Sequence, residues 1–293
     1  MEPAATTFFL MNGPDKPPIV HSIFVPSTGT WQYVVADPST QHCCIFDAVR
    51  DRGADAATIS TTAADAIITL VKQHGYLVDY ILETQCSAAL SQSATWYLRM
   101  QFSDLQGWPP HVFSEGTVSA MERMWQRKHG VDSPLVTKLR NGLADGESAV
   151  VGRMRVRCMQ LPSFGTPQRR GFLVGKNLFG AHSLATLSHD IRSAAVCEDV
   201  SLAVPLDRES CNTVWTSMQR TLSLPEETRV YLEHGDGTDP HREPFDEIRQ
   251  CRISNAYVGL NASEFFVRWE GERKWRSQMG QQRVPSKHFG KKR

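Results

Sequence analysis

A chain of 293 residues with 41% hydrophobic content is long enough to bury a sizeable core, as one large domain or two small ones. Its 32 Lys and Arg nearly cancel 31 Asp and Glu at a formal charge of +1, which excludes a global field for nucleic acid or an anionic membrane surface. Its apolar runs, such as Phe8-Phe9-Leu10-Met11, fall far short of a membrane span or a signal-peptide core, so a cytoplasmic protein with a small-molecule partner is expected. The seven cysteines are odd in number and lack C-x-x-C spacing, which points to buried reduced thiols rather than disulfides or a zinc-thiolate site.

Residues 1–18 carry Pro and Gly without a sustained period and read as a flexible extension. Residues 19–293 read as a single domain, because no internal repeat or sharp linker interrupts them. Ile23 to Val25, Gln32 to Ala36 and Cys43 to Asp47 are short apolar or β-branched runs separated by Pro- and Gly-containing turns, the pattern of an antiparallel meander. Ala63, Ala66, Ile67, Leu70 and Val71 then recur at helical spacing, with Thr62 as cap, Asp65 three residues on and Gly75 as terminator. Tyr80 to Thr84 reads as a buried strand and Ala94 to Phe102 as a second helix. From about 107 to 141 the chain reads as irregular, with one helix near 119–129.

After Asp145-Gly146, strands are expected at Ala149 to Val151 and at Met154 to Leu161, where Val156 and Cys158 alternate with Arg155 and Arg157. Gly171 to Val174 gives another strand, followed by a polar loop with Lys176, His182, His189 and Asp190. Cys211, Trp215, Met218 and Leu222 mark one face of a helix that Leu224-Pro225 ends. Arg229 to Leu232 is a strand running into Glu233-His234-Gly235-Asp236, and a last helix is expected from Phe245 to Asn255. Strands then helices, twice over, define an α+β class compatible with an αββα sandwich.

Particular residues narrow this further. Val34-Val35-Ala36-Asp37-Pro38 with Ile45-Phe46-Asp47, Ile81-Leu82-Glu83-Thr84, Leu143-Ala144-Asp145-Gly146-Glu147 and Phe172-Leu173-Val174-Gly175-Lys176-Asn177-Leu178-Phe179 follow one another in order. Leu222 to Arg229, Glu233-His234 and Asn255 continue the series. Together they resemble the persulfide dioxygenase and glyoxalase II-like branch of the metallo-β-lactamase superfamily. The resemblance implies a sandwich of two mainly antiparallel sheets flanked by helices, with its site where the loops meet.

The resemblance breaks at the metal motifs. Gln85-Cys86-Ser87-Ala88-Ala89-Leu90-Ser91 stands where the family has H-x-H-x-D-H, and Phe164-Gly165-Thr166-Pro167 stands where it has G-H-T-P. Lys176 falls on the bridging Asp of G-D-T-L-F, an ammonium in place of a carboxylate, and a like charge there opposes a divalent metal. Only His234 survives, and one imidazole does not assemble a zinc or iron site. The expectation is therefore no metal and no cofactor.

What the resemblance would gather in the site is Gln85, Cys86, Ser87, Lys176 and His234. His234 is the candidate general acid or base. Lys176 is the candidate stabiliser of an enolate or phenolate, or a base, and Cys86 or Ser87 a candidate nucleophile. Gln85, Phe164, His182, His189 and Asp236 are candidate substrate contacts, with Trp96, Trp108 and Trp125 as further walls for a flat aromatic ligand. The basic tail from Arg268 to Arg293 reads as solvated. The expected function is a metal-independent enzyme acting by acid-base chemistry on a small organic, aromatic or polyketide-like metabolite, with a homodimer among the assemblies it allows. A non-catalytic binding or scaffold protein and a metal-free hydrolase are the alternatives.

Overall fold

Alternation along β2 (Thr30–Ala36) decides the layering, because its successive side chains enter different cores. Tyr33 and Val35 face a core between two sheets, whereas Val34 and Ala36 face a core under helices. The computed structural model describes residues 16–52, 59–84, 93–113, 143–163, 169–185, 207–235 and 243–282. Much of the 1–18 extension and the helix expected near 119–129 lie outside the described residues.

The first sheet has the order β1-β2-β3-β6-β7, with β1 (Ile19–Val25), β3 (His42–Phe46), β6 (Leu77–Leu82) and β7 (His111–Phe113). β1, β2 and β3 form the expected antiparallel meander. The β3–β6 and β6–β7 pairs are parallel, so this sheet is more mixed than the resemblance implies. Parallel neighbours require crossover connections, which α1 (Thr62–His74) and α2 (Thr95–Gln106) supply on the outer face. Gly75 ends α1 in the left-handed conformation at φ 66°, with its N–H donating to Lys72 O. A short hairpin, β4 (Asp51–Arg52) with β5 (Ile59–Ser60), leads into α1.

The second sheet has the order β13-β12-β11-β10-β9-β8. Its strands are β8 (Ser148–Val151), β9 (Met154–Gln160), β10 (Arg170–Val174), β11 (Asn177–Phe179), β12 (Arg229–Tyr231) and β13 (Phe245–Glu247). All pairs are antiparallel except β11 with β12. The helices here are α3 (His182–Ala185), α4 (Arg208–Leu222), α5 (Ile248–Ser254) and α6 (Ala262–Gln282). The expected helix from Phe245 is thus a strand followed by α5.

The basic tail begins inside α6, a helix absent from the sequence reading. Asn261 caps it, accepting from the N–H groups of Ser263 and Glu264 at 3.0 Å, while Glu264 accepts from Asn261 N at 2.9 Å. Phe265 and Trp269, one turn apart, anchor it in a core with Met218 and Leu222 of α4 and Leu178 and Val230 of the sheet.

Four layers result: α1 and α2, the first sheet, the second sheet, and α4 to α6. Between the sheets Phe46, Phe172, Phe179, Tyr33 and Tyr231 pack as interleaved rings, each buried aromatic contributing about 2–3 kcal/mol of transfer free energy. Cys43, Cys44, Cys158, Cys211 and Cys251 are free and buried, and burial pushes Cys211 up to about 11 and Cys251 up to about 12. They are inert packing groups.

Candidate functional site

The C-terminal ends of β3, β6, β11 and β12 converge. Phe46 at the end of β3 stacks on Phe179 at the end of β11, with centroids 4.3 Å apart. Past β12, the chain is sewn onto the turn between β1 and β2. Tyr33 Oη donates to Leu232 O at 2.6 Å, Trp31 N to Glu233 O at 3.0 Å, and Gly235 N to Gly29 O at 2.9 Å. His234 forms a bridge with Thr30 between those contacts. Its backbone is therefore fixed from both sides while its side chain stays half-buried.

Asp47 follows β3 with φ 52°, a left-handed conformation that Asp tolerates better than most residues. One carboxylate oxygen accepts from Thr84 N and the other from Thr84 Oγ1, both at 2.8 Å. Burial pushes this carboxyl up to about 7; the Thr84 bonds oppose the rise, and the negative charges of Glu233 and Glu83 add to it. The same surroundings raise the Tyr33 phenol well above its ordinary range, by burial first and then by Asp47, Tyr231 and Glu233.

A buried ion pair lies alongside. Arg169, just before β10, pairs with Glu233, and the two side chains are 3% and 4% exposed. Arg169 Nε also donates to Gly180 O at 3.1 Å, tying the pair to the end of β11. Gly180 has φ 85°, and a Cβ there would lie 2.5 Å from Thr84 Cβ, so only glycine lets β11 end against Thr84. Contacts thus run without a break from Asp47 through Thr84, Gly180, Arg169 and Glu233 to His234.

His182 begins α3. The parallel register pairs Leu178 with Val230, so the end of β11 that leads into α3 lies beside the end of β12 that leads to His234. Asn255 holds α3 there, Nδ2 donating to Leu184 O at 3.2 Å and Ala185 O at 3.1 Å, which accounts for the family-like Asn.

Lys176 does not join them. It sits in the turn between β10 and β11, its backbone O accepting from Arg229 N at 2.8 Å at the start of β12. Some six residues of strand, roughly 20 Å at full extension, separate it from the level of His234. Gly175 beside it abuts Pro18, at the far end of β1. The Lys176 side chain is 71% exposed and pairs with Glu227 at 3.2 Å.

Gln85, Cys86, Ser87, Phe164, His189 and Asp236 lie outside the described residues, but their flanking residues do not. Thr84, Arg169 and Gly235 all stand at the converging end. Trp96 packs against the Arg99 guanidinium, 5.6 Å from centroid, and Trp108 is exposed past α2. Sequence reasoning missed Asp47, Glu83 and Arg169 as members of the site.

The family resemblance implies a divalent metal at these strand ends. Of the described groups there, Glu233 is engaged by a guanidinium and Asp47 by Thr84, and the sequence directly after Thr84 holds no imidazole or carboxylate. Among the described residues, no group of three or more His, Cys, Asp or Glu is arranged to hold a metal.

Two mixed sheets packed face to face, helices on both outer faces and a polar site at the strand ends define a metallo-β-lactamase-type αββα sandwich. ETHE1 from Myxococcus xanthus has the same fold, with TM-score 0.55 at 16% identity over 92% of each chain. A beta-lactamase hydrolase-like protein of Xylella fastidiosa is 30% identical over 230 residues, 74% of this chain and 47% of that one. Glyoxylase B2 of Dictyostelium discoideum is 24% identical over 264 residues, 84% of this chain and 80% of that one. The chain belongs to the metallo-β-lactamase superfamily. It spans about half the length of the beta-lactamase hydrolase-like relatives it matches. No protein-family model matches it. Among the described residues no helix is long and apolar enough to cross a membrane.

Proposed function

We propose that the chain is a metal-independent enzyme acting by proton transfer on a small organic molecule at the strand-end site. The observation that carries this reading is His234, its backbone fixed on both sides, beside the Asp47, Glu233 and Arg169 network, where burial pushes the Asp47 carboxyl up to about 7. His234 takes a proton from an acidic carbon or hydroxyl of the substrate and returns it elsewhere, the step shared by isomerisation, dehydration, cyclisation and ring opening. Asp47, with both oxygens engaged by Thr84, holds the neighbouring strand end in place.

Solvent-deuterium exchange into enolisable aryl ketones and β-diketones, followed by NMR, tests this on the full chain. Incorporation unaffected by EDTA and lowered about a hundredfold or more in His234→Ala is expected. Stoichiometric zinc or iron in the purified protein, or full exchange by His234→Ala, would overturn it.

The hydrolase-like names of the relatives favour a second reading. In it Cys86 or Ser87 attacks an ester or thioester carbonyl while His234 takes its proton and returns it to the departing alcohol or thiol, and water then releases the acid from the acylated side chain. Full ester turnover by both alanine variants would sink it.

A further inference from the structure

Three rings join the end of α1 to the edge strand β1. Past Gly75, Tyr76 N donates to Val71 O at 3.0 Å, and the Tyr76 ring enters the core under the helices, where it is 6% exposed. His21 stands on the same face of the first sheet, because it pairs with Val34 and precedes Ile23 by two residues, and both line that core. His21 Nε2 and Tyr76 Oη are hydrogen-bonded at 3.0 Å. His74 completes the cluster, its ring centred 4.7 Å from that of His21 and stacked on Tyr76 at 5.2 Å, with 11° between the planes.

β1 stands at the edge of its sheet beside β2, so among the described residues ladder bonds hold it from one side only. What grips its face therefore matters. Among the described residues the Tyr76 hydroxyl has no second partner, and with the hydroxyl donating, the bond needs the lone pair of a neutral His21. The titratable groups facing His21 are His74 of α1 and the Tyr76 phenol, while β2 presents the neutral Val34. Cys43 of β3 faces Tyr76, and Lys72 shares the last turn of α1 with His74. Among the described residues no carboxylate acts on His21. Burial lowers its imidazole, and the charge of His74 lowers it further.

We infer that His21, Tyr76 and His74 form a proton-operated latch, which holds β1 against the end of α1 while His21 is neutral and releases it in mild acid. A proton on His21 removes the acceptor of the buried hydroxyl and sets a second cation beside His74. The neutral ring thus stabilises the closed strand above the ordinary value of 6.5, and that contribution is lost as pH falls through the lowered one. The latch lies on the helical side of the first sheet and does not depend on the reaction His234 serves.

Amide protection factors of the full chain at pH 7.5 and pH 5, corrected for intrinsic exchange and read by NMR, test it. The protected amides of β1, and that of Tyr76, are expected to lose about fivefold or more in protection at pH 5. Those of Val156 and Phe172, in the second sheet, should stay within about twofold. His21→Gln keeps a side-chain acceptor without a titrating ring, so its β1 protection should change by less than about twofold over the same range. His74→Gln, which removes the second cation, should lose clearly less than wild type.

Wild-type β1 protection unchanged at pH 5 would overturn the latch, and so would the full wild-type loss repeated in His21→Gln or His74→Gln. Should a variant fail to fold, the ring nitrogen shifts of wild type decide. A His21 protonated on Nδ1 and titrating below 6.5 supports the latch, and one titrating at 6.5 or above counts against it.

Discussion

Two aspartates, one at each end of the sandwich, respond to their surroundings in opposite ways. Asp37, past β2, lies at the end away from His234 and accepts three hydrogen bonds: from Ser39 N at 2.8 Å, Thr40 Oγ1 at 2.9 Å and Arg153 N at 2.6 Å. Burial pushes its carboxyl up, but these bonds and the Arg153 charge outweigh it, and the net displacement is downward. Asp47 has two bonds, both from Thr84, and two carboxylates for neighbours, so burial wins and the group rises to about 7. Burial alone therefore does not set a carboxyl's charge. The count of fixed donors and the sign of the nearest charge do.

The largest effect is expected where charge is most deeply buried, in the Arg169–Glu233 pair. Arg169→Ala removes the buried cation opposite Glu233, at a cost of about 3–5 kcal/mol in urea unfolding. Replacing both residues by Met should recover most of that loss, since apolar pairs of similar volume fill such positions without a desolvation penalty. A double variant as unstable as the single one would show that the guanidinium does more than neutralise Glu233.

Next comes Asp47→Asn, whose effect depends on pH. A carboxyl raised from its ordinary value of 3.8 to about 7 adds stability only in its protonated form. That contribution is complete below about 3.8 and is lost as pH rises to about 7. Asn carries no such penalty, so the variant should be more stable than wild type at pH 8, by about 1–3 kcal/mol, with the advantage shrinking towards pH 4. Unfolding midpoints at pH 8, 6 and 4 give the comparison, and a variant less stable at pH 8 would break it.

Asp37→Asn should show the opposite sign and a smaller size. A lowered carboxyl stabilises in its ionised form, so its contribution is present above the unfolded value and is lost as pH falls through the folded one. Asn offers one acceptor where three donors converge, at a cost of about 1–2 kcal/mol near neutrality that fades in acid. An Asp37 variant that follows the Asp47 pattern would refute the contrast between the two ends.

The sequence reveals the layers better than the site. The alternation of β2 between two cores and of β9 between buried and exposed positions follows the period of two, and the α4 face with Cys211, Met218 and Leu222 follows the helical one, because each is set by neighbours in the chain. The parallel β3–β6 and β6–β7 pairs depend on crossovers that no local period encodes. Asn261 with Glu264 is a readable helix start, but the charged stretch after it hides the spaced anchors Phe265 and Trp269. Nothing local in the sequence marks Arg169, because its partner Glu233 is remote along the chain. Asp47 lies within a recognised motif, yet its environment comes from Thr84, Glu83 and Glu233, on other elements.

Lys176 shows how a motif match goes astray, and it carries the smallest prediction. Phe172-Leu173-Val174-Gly175-Lys176 and Leu178-Phe179-Gly180-Ala181-His182 are successive apolar runs broken by glycine, on adjacent antiparallel strands that end at opposite faces of the molecule. Either run satisfies the family pattern. The parallel pairing of β11 with β12 favours the second, because it leaves the end of β11 on the His234 side and Lys176 at the far turn. Since the Lys176–Glu227 pair is exposed at 71% and 51%, Lys176→Ala should change stability by no more than about 0.5 kcal/mol. The deuterium exchange that depends on His234 should be unaffected. A large loss of exchange in Lys176→Ala, with stability intact, would mean that the two ends communicate in a way the strand register does not provide.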